Sequence, residues 1–543
     1  LSFGMLTRSG TNAEGTTWKC PPPTPPRVEL PHPSPAMAVD ARRLPPLLAL
    51  LGPVALAVGC RPAAALIRWP VPAPPPVSAS QPQLWVALAA YLGAAPLRLE
   101  SDGKALQLLD RQGWHQSAAA LELRWRLQPL PQPLVVQRSV LGPFSSFESA
   151  EQMALAWGRS GAEVVVAHPG DWEVWAAPGL SPPPGQTPRR QTLQLREHLV
   201  PELRTPGGWR RLEGPVQISA PSGLRWQGGV FRGPFRLQPD AYGTWTLVEQ
   251  VPLERYLEGV VPHEIGAGAP AAALEAQAVL ARTWALRNQH RFRVDGYHLC
   301  ADTQCQVYSD PRQAGASVRS AIAASRGRVL SWGQQPIHAV YHASNGGVAA
   351  GYPEAWAGPS LPYLRPAVDG PAPLVNAVPL PLLRDSQVSA ALQRTGSAYG
   401  AGHPLFRWIR LLDRQQIERA LGPAAAALGP VQQLRVLERG PSGRVLRLAL
   451  RGSRGERVLE RDAIRRTLRS LPSTLFELSS PRPGLWRVQG GGFGHGAGLS
   501  QAGAQDLAAR GWSMQRILSH YYPGTSLLPL EALAPAGGTG GGL

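Results

Sequence analysis

The stretch Val251–Tyr308 decides the organisation of the chain and reads VPLERYLEGVVPHEIGAGAPAAALEAQAVLARTWALRNQHRFRVDGYHLCADTQCQVY. Its first part is apolar at helical spacing, and a short loop from Pro262 then carries one acid, Glu264. From Pro270 a run of alanines predicts a long helix through Asn288, with the proline at its first position. Glu264 is therefore expected on a loop held between two packed helices.

The composition is that of a large basic globular protein. Its 543 residues predict two or three domains, and 43% hydrophobic content is enough for a sizeable core. The formal net charge of +18 comes almost wholly from arginine, because Lys19 and Lys104 are the only lysines. No basic run is interleaved with aromatic residues, so nucleic acid is not favoured as a partner. Arg, Ala, Pro and Gly are all in excess, which indicates that the basic charge reflects the base composition of the genome.

The N-terminal region has the pattern of an exported protein. Residues 1–36 are polar and proline-rich and are interpreted as a non-native upstream leader, while Met37 begins a segment with two arginines followed by the apolar run Leu44–Val58. This run is shorter than the roughly 20 residues that span a bilayer, so residues 37–65 are predicted to be a signal peptide. The residues before Cys60 resemble a lipobox, and ordinary cleavage a few residues later is the alternative. Export is expected, with a lipid on Cys60 as the only link to a membrane.

Residues 66–178 are predicted to form a small α+β module. The strand candidates PLVVQ and EVVVA flank a helix over Ser149–Ser160, and this order resembles a SPOR-type peptidoglycan-binding module. In the alternative, the segment simply supports the main domain. Prolines and polar residues predict a linker over 179–191.

The main domain is predicted over residues 192–528. Alternating apolar and polar residues before Glu264 predict antiparallel strands, and a hairpin with a short helix predicts an inserted second lobe over 369–475. A flexible tail is expected over 529–543. The fold class is therefore α+β, with antiparallel strands and packed helices forming a substrate groove.

Three sets of motifs resemble the SpoIID/LytB family. The order PLERYLEGVVPHE, ALEAQAVLARTWAL and C-ADTQ-CQVY is similar to the core signature of that family. YHASNGG at 341–347 resembles its central loop, and the glycine-rich stretch at 491–525 resembles its C-terminal signature. The similarity covers roughly 193–528 in one linear order. The resemblance implies an exported peptidoglycan lytic transglycosylase or, as in other members, a protein that modifies a cell-wall amidase.

The resemblance implies that Glu264 is the catalytic residue. A glycosidase usually needs two carboxylates, whereas a lytic transglycosylase acts with one general acid and base, because the muramyl C6 hydroxyl attacks its own anomeric carbon. Cleavage between N-acetylmuramic acid (MurNAc) and N-acetylglucosamine (GlcNAc) would then leave 1,6-anhydro-MurNAc ends. The alternative is a non-enzymatic glycan-binding modifier of a cell-wall amidase, in which Glu264 is dispensable.

Seven further residues are candidates for binding the glycan. They lie at a strand end, in the glycine-rich stretch or on the alanine-rich helix: Tyr341, Ser344, Asn345, His495, Gln501, Gln277 and Arg282. Each has a structural alternative. Ser and Asn favour turns, Tyr and His are often core residues, and a lone helical arginine is commonly an ion-pair partner.

Cys300 and Cys305 form the informative cysteine pair. In an exported protein, two cysteines five apart favour a disulfide. The family resemblance implies a zinc site as the alternative, but Gln304 stands where a histidine ligand would be expected, which leaves His298 and His290 as substitutes. The disulfide is preferred, and no cofactor other than this zinc is expected.

Overall fold

The computed structural model describes residues 66–534. The predicted leader over 1–36, the signal peptide over 37–65 with Cys60, and the end of the predicted tail, 535–543, lie outside the described residues. Within the described range, none of the helices combines the length and apolar character that a membrane crossing requires.

Residues 66–534 form a mixed α+β fold that is rich in strands. The strands are β1 Gln83–Leu92, β2 Leu97–Ser101, β3 Leu106–Leu109, β4 His115–Ala118, β5 Ala120–Phe144, β6 Val164–Ala167, β7 Trp172–Ala176, β8 Arg189–Thr205, β9 Gly208–Arg211, β10 Val216–Ser219, β11 Leu224–Trp226, β12 Gly229–Phe231, β13 Phe235–Pro239, β14 Trp245–Pro252, β15 Leu299–Cys300, β16 Arg328–Trp332, β17 Gln335–Pro336, β18 Tyr341–His342, β19 Val348–Ala349, β20 Ala367–Val368, β21 Trp408–Asp413, β22 Val431–Arg439, β23 Val445–Gly452, β24 Glu456–Glu460, β25 Phe476–Arg482, β26 Leu485–Gly490, β27 Leu499–Ser500 and β28 Ser526–Pro529. The α-helices are α1 Phe147–Trp157, α2 Leu253–Val261, α3 Ala271–Arg287, α4 Ala316–Ala324, α5 Tyr352–Ala355, α6 Ala372–Ala377, α7 Asp385–Arg394, α8 Arg414–Leu421, α9 Ala424–Leu428, α10 Asp462–Thr467, α11 Gln501–Ala509 and α12 Met514–Tyr521.

Two large sheets form the N-terminal half. One has the order β15-β1-β14-β13-β10-β3-β4, and the other follows β12-β11-β2-β5-β7-β6, with β8 and β9 attached to β5. Residues alternate between buried and exposed along β2 and β3, as expected where one face of a strand packs on a core. Strand β14 of the first sheet leads directly into α2.

The separate SPOR-like module predicted over 66–178 is not supported. β1 pairs with β14 in antiparallel register from Gln83↔Pro252, and β5 pairs with β8 along most of its length. Strands from both sides of the predicted linker 179–191 therefore share sheets and one apolar core, and β8 itself begins at Arg189. Alternation along a strand indicates its buried face but not its partner, which is why the sequence suggested a module of its own. The segment supports the main domain instead.

Helix α3 lies at the centre of the fold. Its alanines Ala278, Ala281 and Ala285 are fully buried, and α2, α4, α11, α12 and β16 all contact the helix. Small side chains allow this close approach from several sides. Pro270 is the residue before the helix rather than its first residue, and the helix ends at Arg287, one residue earlier than predicted.

The end of the described chain packs against the same core. β28 pairs with β16, with Pro529 opposite Arg328, and Leu530 is buried. The prediction of a flexible tail is therefore wrong for 529–534.

The second lobe has apolar clusters of its own. One is built around Trp408, Ile417 and Trp486, and the other around Val388 and neighbouring residues. The predicted hairpin is confirmed, since β22 and β23 pair on either side of the turn 440–444, and α10 is the predicted short helix. The lobe extends beyond its predicted end at 475, because β25 pairs with β26 and β26 pairs with β21.

The lobe leaves and rejoins the core where two glycine loops cross. Ser344 and Phe493 exchange backbone hydrogen bonds of 3.1 and 2.7 Å. A Cβ on Gly346 would lie 2.6 Å from the carbonyl carbon of Gly491, and one on Gly492 would lie 2.6 Å from the Ser344 oxygen. Both Gly346 and Gly492 also have positive φ values, +70° and +84°. Only glycine fits this crossing without displacing the backbone.

Candidate active site

Glu264 lies on a π-helical turn, Pro262–Gly266, rather than on the predicted loop. The turn continues α2 without a break, and a widened turn of this kind is frequent at functional sites. The Glu264 side chain is 6% exposed, and its Oε1 accepts a hydrogen bond of 3.1 Å from the Val307 backbone N–H. Val260, Val261 and Ile265 beside it are also buried. The carboxylate is thus held by packed elements in an apolar setting.

The segment after the cysteines carries the Val307 N–H that bonds Glu264. Gln306 is buried; its Nε2 donates to the Ala281 carbonyl oxygen over 3.3 Å, and its Oε1 accepts from the Tyr341 hydroxyl over 2.8 Å. Tyr308 donates to the buried carboxylate of Glu249 over 2.9 Å. Residues 306–308 are thereby fixed from three sides, which sets the position of the Val307 N–H.

Two tyrosines face Glu264. Burial, followed by the negative charge of Glu264, raises the pKa of Tyr341 well above its ordinary value and also raises the pKa of Tyr256. The Tyr341 hydroxyl, which donates its proton to Gln306 Oε1 over 2.8 Å, also lies beside Glu264. Both phenols therefore stay protonated at neutral pH. The predicted site residue Tyr341 is thus brought to Glu264.

His495 packs over the same region as a neutral imidazole. Its Nε2 donates to the Tyr341 carbonyl oxygen over 2.9 Å, and its Nδ1 accepts from the Ala497 N–H over 3.1 Å. Burial, followed by the nearby His342, lowers its pKa well below the ordinary value. With both nitrogens bonded to backbone, His495 positions the strand that carries Tyr341.

Gln277 and Gln501 meet behind the acid. The Gln501 amide donates to Gln277 Oε1 over 3.4 Å, and both side chains are buried. One turn further along α11, Gln505 donates to the Ile265 carbonyl oxygen over 2.9 Å. Helix α11 therefore supports both α3 and the π-helical turn. The side-chain amides of Gln277 and Gln501 contact each other in this structure.

Ser344 and Asn345 form a turn rather than a side-chain array facing Glu264. Ser344 Oγ accepts from the Gly346 N–H over 3.3 Å. Asn345 donates to Asp369 over 2.6 Å and accepts from the Gly347 N–H over 2.8 Å. Both side chains are buried and satisfied locally, as is common for Ser and Asn in turns.

Arg282 is likewise a structural residue. Its guanidinium is fully buried and donates to both carboxylate oxygens of Glu254, over 2.8 and 2.7 Å, and to the Arg328 carbonyl oxygen over 3.0 Å. The expected contact with substrate does not agree with this geometry, because every guanidinium nitrogen already serves α2 or the start of β16.

Cys300 and Cys305 are joined by a disulfide, with Cα atoms 5.7 Å apart. The substitute zinc ligands point elsewhere: His298 bonds two backbone groups over 2.9 and 2.8 Å, and His290 contacts Glu151 over 2.6 Å. Among residues 66–534, no cluster of three or more His, Cys, Asp or Glu residues is arranged to hold a metal. These residues do not fit a four-ligand zinc site.

A small cavity of about 30 Å³ lies next to Gln306 and Tyr341, and we call it the active-site cleft although Glu264 itself does not line it. Its lining includes the side chains of Trp284, Trp356, Gln306, Tyr341, His495 and Arg466. Aromatic walls with a few convergent polar groups are typical of ligand sites. The N-terminal segment contributes Glu148 on α1, which pairs with the buried Arg291, and the second lobe contributes Arg466 on α10. Three parts of the chain thus build one cleft.

Sequence reasoning missed two residues of this site, Gln306 and Val307. Gln306 directly follows a disulfide cysteine, and that position was the available signal, since a covalent loop fixes the residue after it. The Val307 contact uses a backbone N–H, for which the side-chain identity carries no signal.

Removal of the disulfide should weaken both the fold and the site. The change Cys300→Ser with Cys305→Ser opens a short loop, and we expect the free energy of unfolding to fall by about 2 kcal/mol. Because Gln306 follows Cys305, the positions of Gln306 and of the Val307 N–H should become less well fixed as well. Denaturant unfolding with and without reductant checks this, and the wild type in reductant serves as the matched control. Identical unfolding curves in the two conditions would contradict the prediction.

Acid should destabilise the fold through its buried histidines. Burial, followed by Arg444, lowers the pKa of His342 to about 3, against about 6.5 for an unfolded imidazole. The contribution of neutral His342 to the free energy of unfolding is complete above about pH 6.5. It decreases as the pH falls from about 6.5 to about 3, because in this range the unfolded chain binds a proton at His342 and the folded chain does not. The free energy of unfolding should lose about 1.4 kcal/mol per pH unit for this one group. In His342→Gln, the slope against pH between 6 and 4.5 should be smaller by that amount; an unchanged slope would refute the assignment.

Comparisons with known proteins agree with this geometry. A family model described as "Stage II sporulation protein" matches residues 241–332, from the turn before β14 to the end of β16. A second model, described as "Domain of unknown function (DUF8618)", matches residues 350–498, which include the second lobe.

Curated relatives match about half of the chain. Stage II sporulation protein D of Bacillus amyloliquefaciens is 28% identical over 302 residues, which cover 52% of this chain and 75% of the relative. Its counterpart in Bacillus subtilis (strain 168) is 26% identical over 310 residues, with 52% and 77% covered. The amidase enhancer of Bacillus subtilis (strain 168) is 27% identical over 291 residues, covering 50% of this chain and 40% of that protein. The family model over residues 241–332 and these relatives agree with the motif order and with the helix pair around Glu264, and they support similarity of this part of the chain to the SpoIID/LytB family.

Proposed function

We propose that the protein is a peptidoglycan lytic transglycosylase that cleaves the MurNAc–GlcNAc bond with Glu264 as its single general acid and base. The observation that carries the proposal is the setting of Glu264. Its buried carboxylate accepts from the Val307 N–H and lies beside the Tyr341 hydroxyl, next to a cleft with aromatic walls. The acid also lies within the segment that the sporulation-protein model matches.

One carboxyl group suffices for the reaction. Protonated Glu264 gives its proton to the glycosidic oxygen as the bond from that oxygen to the muramyl C1 breaks. The C6 hydroxyl of the same muramyl residue then bonds to C1, and its proton passes to the Glu264 carboxylate. The acid is regenerated, no water is consumed, and the products are a free GlcNAc hydroxyl and a 1,6-anhydro-MurNAc end.

The surrounding residues have distinct roles in this proposal. The Val307 N–H orients the carboxylate and stabilises its charge once the proton has left, and the Tyr341 hydroxyl lies beside it. Gln306 holds Tyr341, and His495 holds the strand beneath it. Gln277 and Gln501 become contacts of the glycan if their mutual bond opens on binding, and a location outside the cytoplasm at the cell wall follows from the substrate.

Analysis of the reaction products tests the proposal. Purified protein is incubated with insoluble glycan, and the released fragments are examined by mass spectrometry. We expect 1,6-anhydro-MurNAc ends, which are lighter by one water than reducing ends. Reducing ends would show hydrolysis instead, and unchanged glycan would show that the protein does not cleave.

The second candidate is a glycan-binding modifier of a cell-wall amidase, which the similarity to an amidase enhancer favours. In this function the protein releases no glycan fragments alone but increases the rate at which an added amidase removes peptides. The Glu264→Gln protein would be as effective as the wild type in that assay.

A further inference from the structure

The hairpin of β22 and β23 reaches the main core at its turn 440–444, which we call the lobe turn. Ser442 and Arg444 of this turn are fully buried. The Arg444 guanidinium donates to the Val348 carbonyl oxygen over 2.8 Å and to the Asn345 carbonyl oxygen over 3.0 Å. A side chain of the second lobe therefore bonds the backbone of the loop that follows β18.

A second anchor ties the lobe turn to helix α5. Glu354 on this helix is 3% exposed, and its Oε1 accepts from the Ser442 N–H over 2.8 Å and from the Ser442 hydroxyl over 2.7 Å. Its Oε2 accepts from the Gly351 N–H over 2.7 Å. Arg444 donates to the same Ser442 hydroxyl over 3.0 Å, so this hydroxyl links a buried cation to a buried anion. Buried charges require such bonds, and here the bonds fix the lobe turn against the core.

The lobe turn also contacts the glycine-rich stretch that carries His495. Gly496 lies directly against the Arg444 guanidinium, because a Cβ at this position would collide with its Nη2. The φ of Gly496, +84°, also favours glycine. The Gly496 carbonyl oxygen accepts from the Ala350 N–H over 2.8 Å. Arg444 thus holds both glycine loops, 344–351 and 491–498, in one arrangement.

The two glycine loops support residues beside the acid. Gly496, which Arg444 contacts, follows His495, and His495 Nε2 donates to the Tyr341 carbonyl oxygen over 2.9 Å. The Tyr341 hydroxyl lies beside Glu264. Burial lowers the pKa of Arg444 to about 10, so the guanidinium stays charged and keeps its donors at neutral pH. A continuous set of contacts therefore runs from the second lobe to the surroundings of the acid.

We propose that Arg444 is a positioning residue for the reaction at Glu264, through which the second lobe holds His495 and Tyr341 in place. The reaction itself is that of the proposed function, on which the inference rests. The arrangement of the glycine loops, in contrast, can be measured without any reaction. The lobe then contributes to the site by fixing backbone positions rather than by supplying a group that reacts.

Hydrogen exchange in the full chain tests this positioning. Arg444→Met keeps much of the side-chain volume and removes the donors to Asn345 and Val348. We expect backbone amides of the two glycine loops to exchange about tenfold faster, while the amides between β22, β23 and β24 keep the wild-type rate. Arg444→Lys keeps the charge but lacks the planar fork, so a smaller increase is expected in the same loops. If Arg444→Met does not fold, this milder variant provides the comparison.

Arg138→Met is the matched control, because it removes a buried arginine that bonds backbone elsewhere. Arg138 is 8% exposed and donates to the Ile67 carbonyl oxygen over 3.2 Å. This change should leave exchange in the two glycine loops within about twofold of the wild type. If Arg444→Met instead accelerates exchange evenly over the whole chain, the change has lowered general stability, and the inference is overturned.

The kinetics of anhydro-end release separate the inference from the proposed function. In Arg444→Met, kcat should fall about tenfold because misplaced groups slow the chemical step, while KM for glycan stays within about twofold. Arg138→Met should keep both constants. Faster loop exchange in Arg444→Met with an unchanged kcat would refute the positioning role and leave the proposed function standing. If the wild type releases no anhydro ends, the proposed function fails, and hydrogen exchange alone upholds or overturns the hold of Arg444 on the loops.

Discussion

Glu264→Gln is expected to abolish the formation of 1,6-anhydro-MurNAc ends while the fold and glycan binding persist. Glutamine keeps the shape of the side chain and can still accept from the Val307 N–H. It cannot transfer a proton to the glycosidic oxygen or take one from the C6 hydroxyl. Proton transfer by a positioned group supplies about 10²- to 10⁴-fold in rate, so the variant should lose at least about 10²-fold.

The measurement is the rate of anhydro-end release, with circular dichroism to establish that the variant folds. Glu258→Gln is the matched control, since Glu258 lies on the preceding helix in a partly exposed ion pair with Arg255. The control should keep the wild-type rate. If Glu264→Gln releases anhydro ends as fast as the control, Glu264 is not the acid.

Arg282→Met is expected to destabilise the protein by about 3 kcal/mol without changing substrate affinity. The change leaves Glu254 without its partner in a site where only 17% of that side chain is exposed, and loss of one member of a buried pair typically costs this much or more. It also removes the donor to the Arg328 carbonyl oxygen. The free energy of unfolding from denaturant titration checks the size of the effect.

Arg326→Met is the control for this change. Arg326 is exposed, and its substitution removes the same charge near the same elements. It should shift stability by less than about 0.5 kcal/mol. A variant at Arg282 that unfolds like the wild type but binds glycan more weakly would restore the sequence-based role in substrate binding.

The sequence was most informative where local pattern and motif order coincide. The apolar periodicity before Glu264 and the alanine run after Pro270 indicated the helix pair that holds the acid, and both helices are present. The π-helical turn was not foreseeable, because Pro262 and the glycine at 266 indicate a loop equally well. The pairing of strands could not be predicted from the sequence either, since pairs such as β1 with β14 depend on contacts between residues that are remote in sequence.

Some side-chain positions in the site could be predicted from the sequence, and some side-chain contacts could not. The motif placed Tyr341 at a strand end, where the structure also has it, whereas the ion pair of Arg282 could not be predicted because its partner Glu254 lies on another helix. Asn345 has the polar character of a binding residue, but its burial commits it to Asp369. Residue type indicates which bonds a side chain can form, and only the packing decides which it does form.

The crossing of the two glycine loops has a consequence for the evolution of the chain. The backbone at Ser344 is hydrogen-bonded to the backbone at Phe493, so the chain leaves and returns to the core at neighbouring points. Trp356 and Leu364 pack on the main core, and the second lobe that follows them is an insertion between these points. Insertions whose ends lie together can be lengthened, replaced or deleted with little effect on the surrounding architecture. Relatives are therefore expected to differ most in this lobe, and lobes exchanged at this point should leave Glu264 and the residues that support it unchanged.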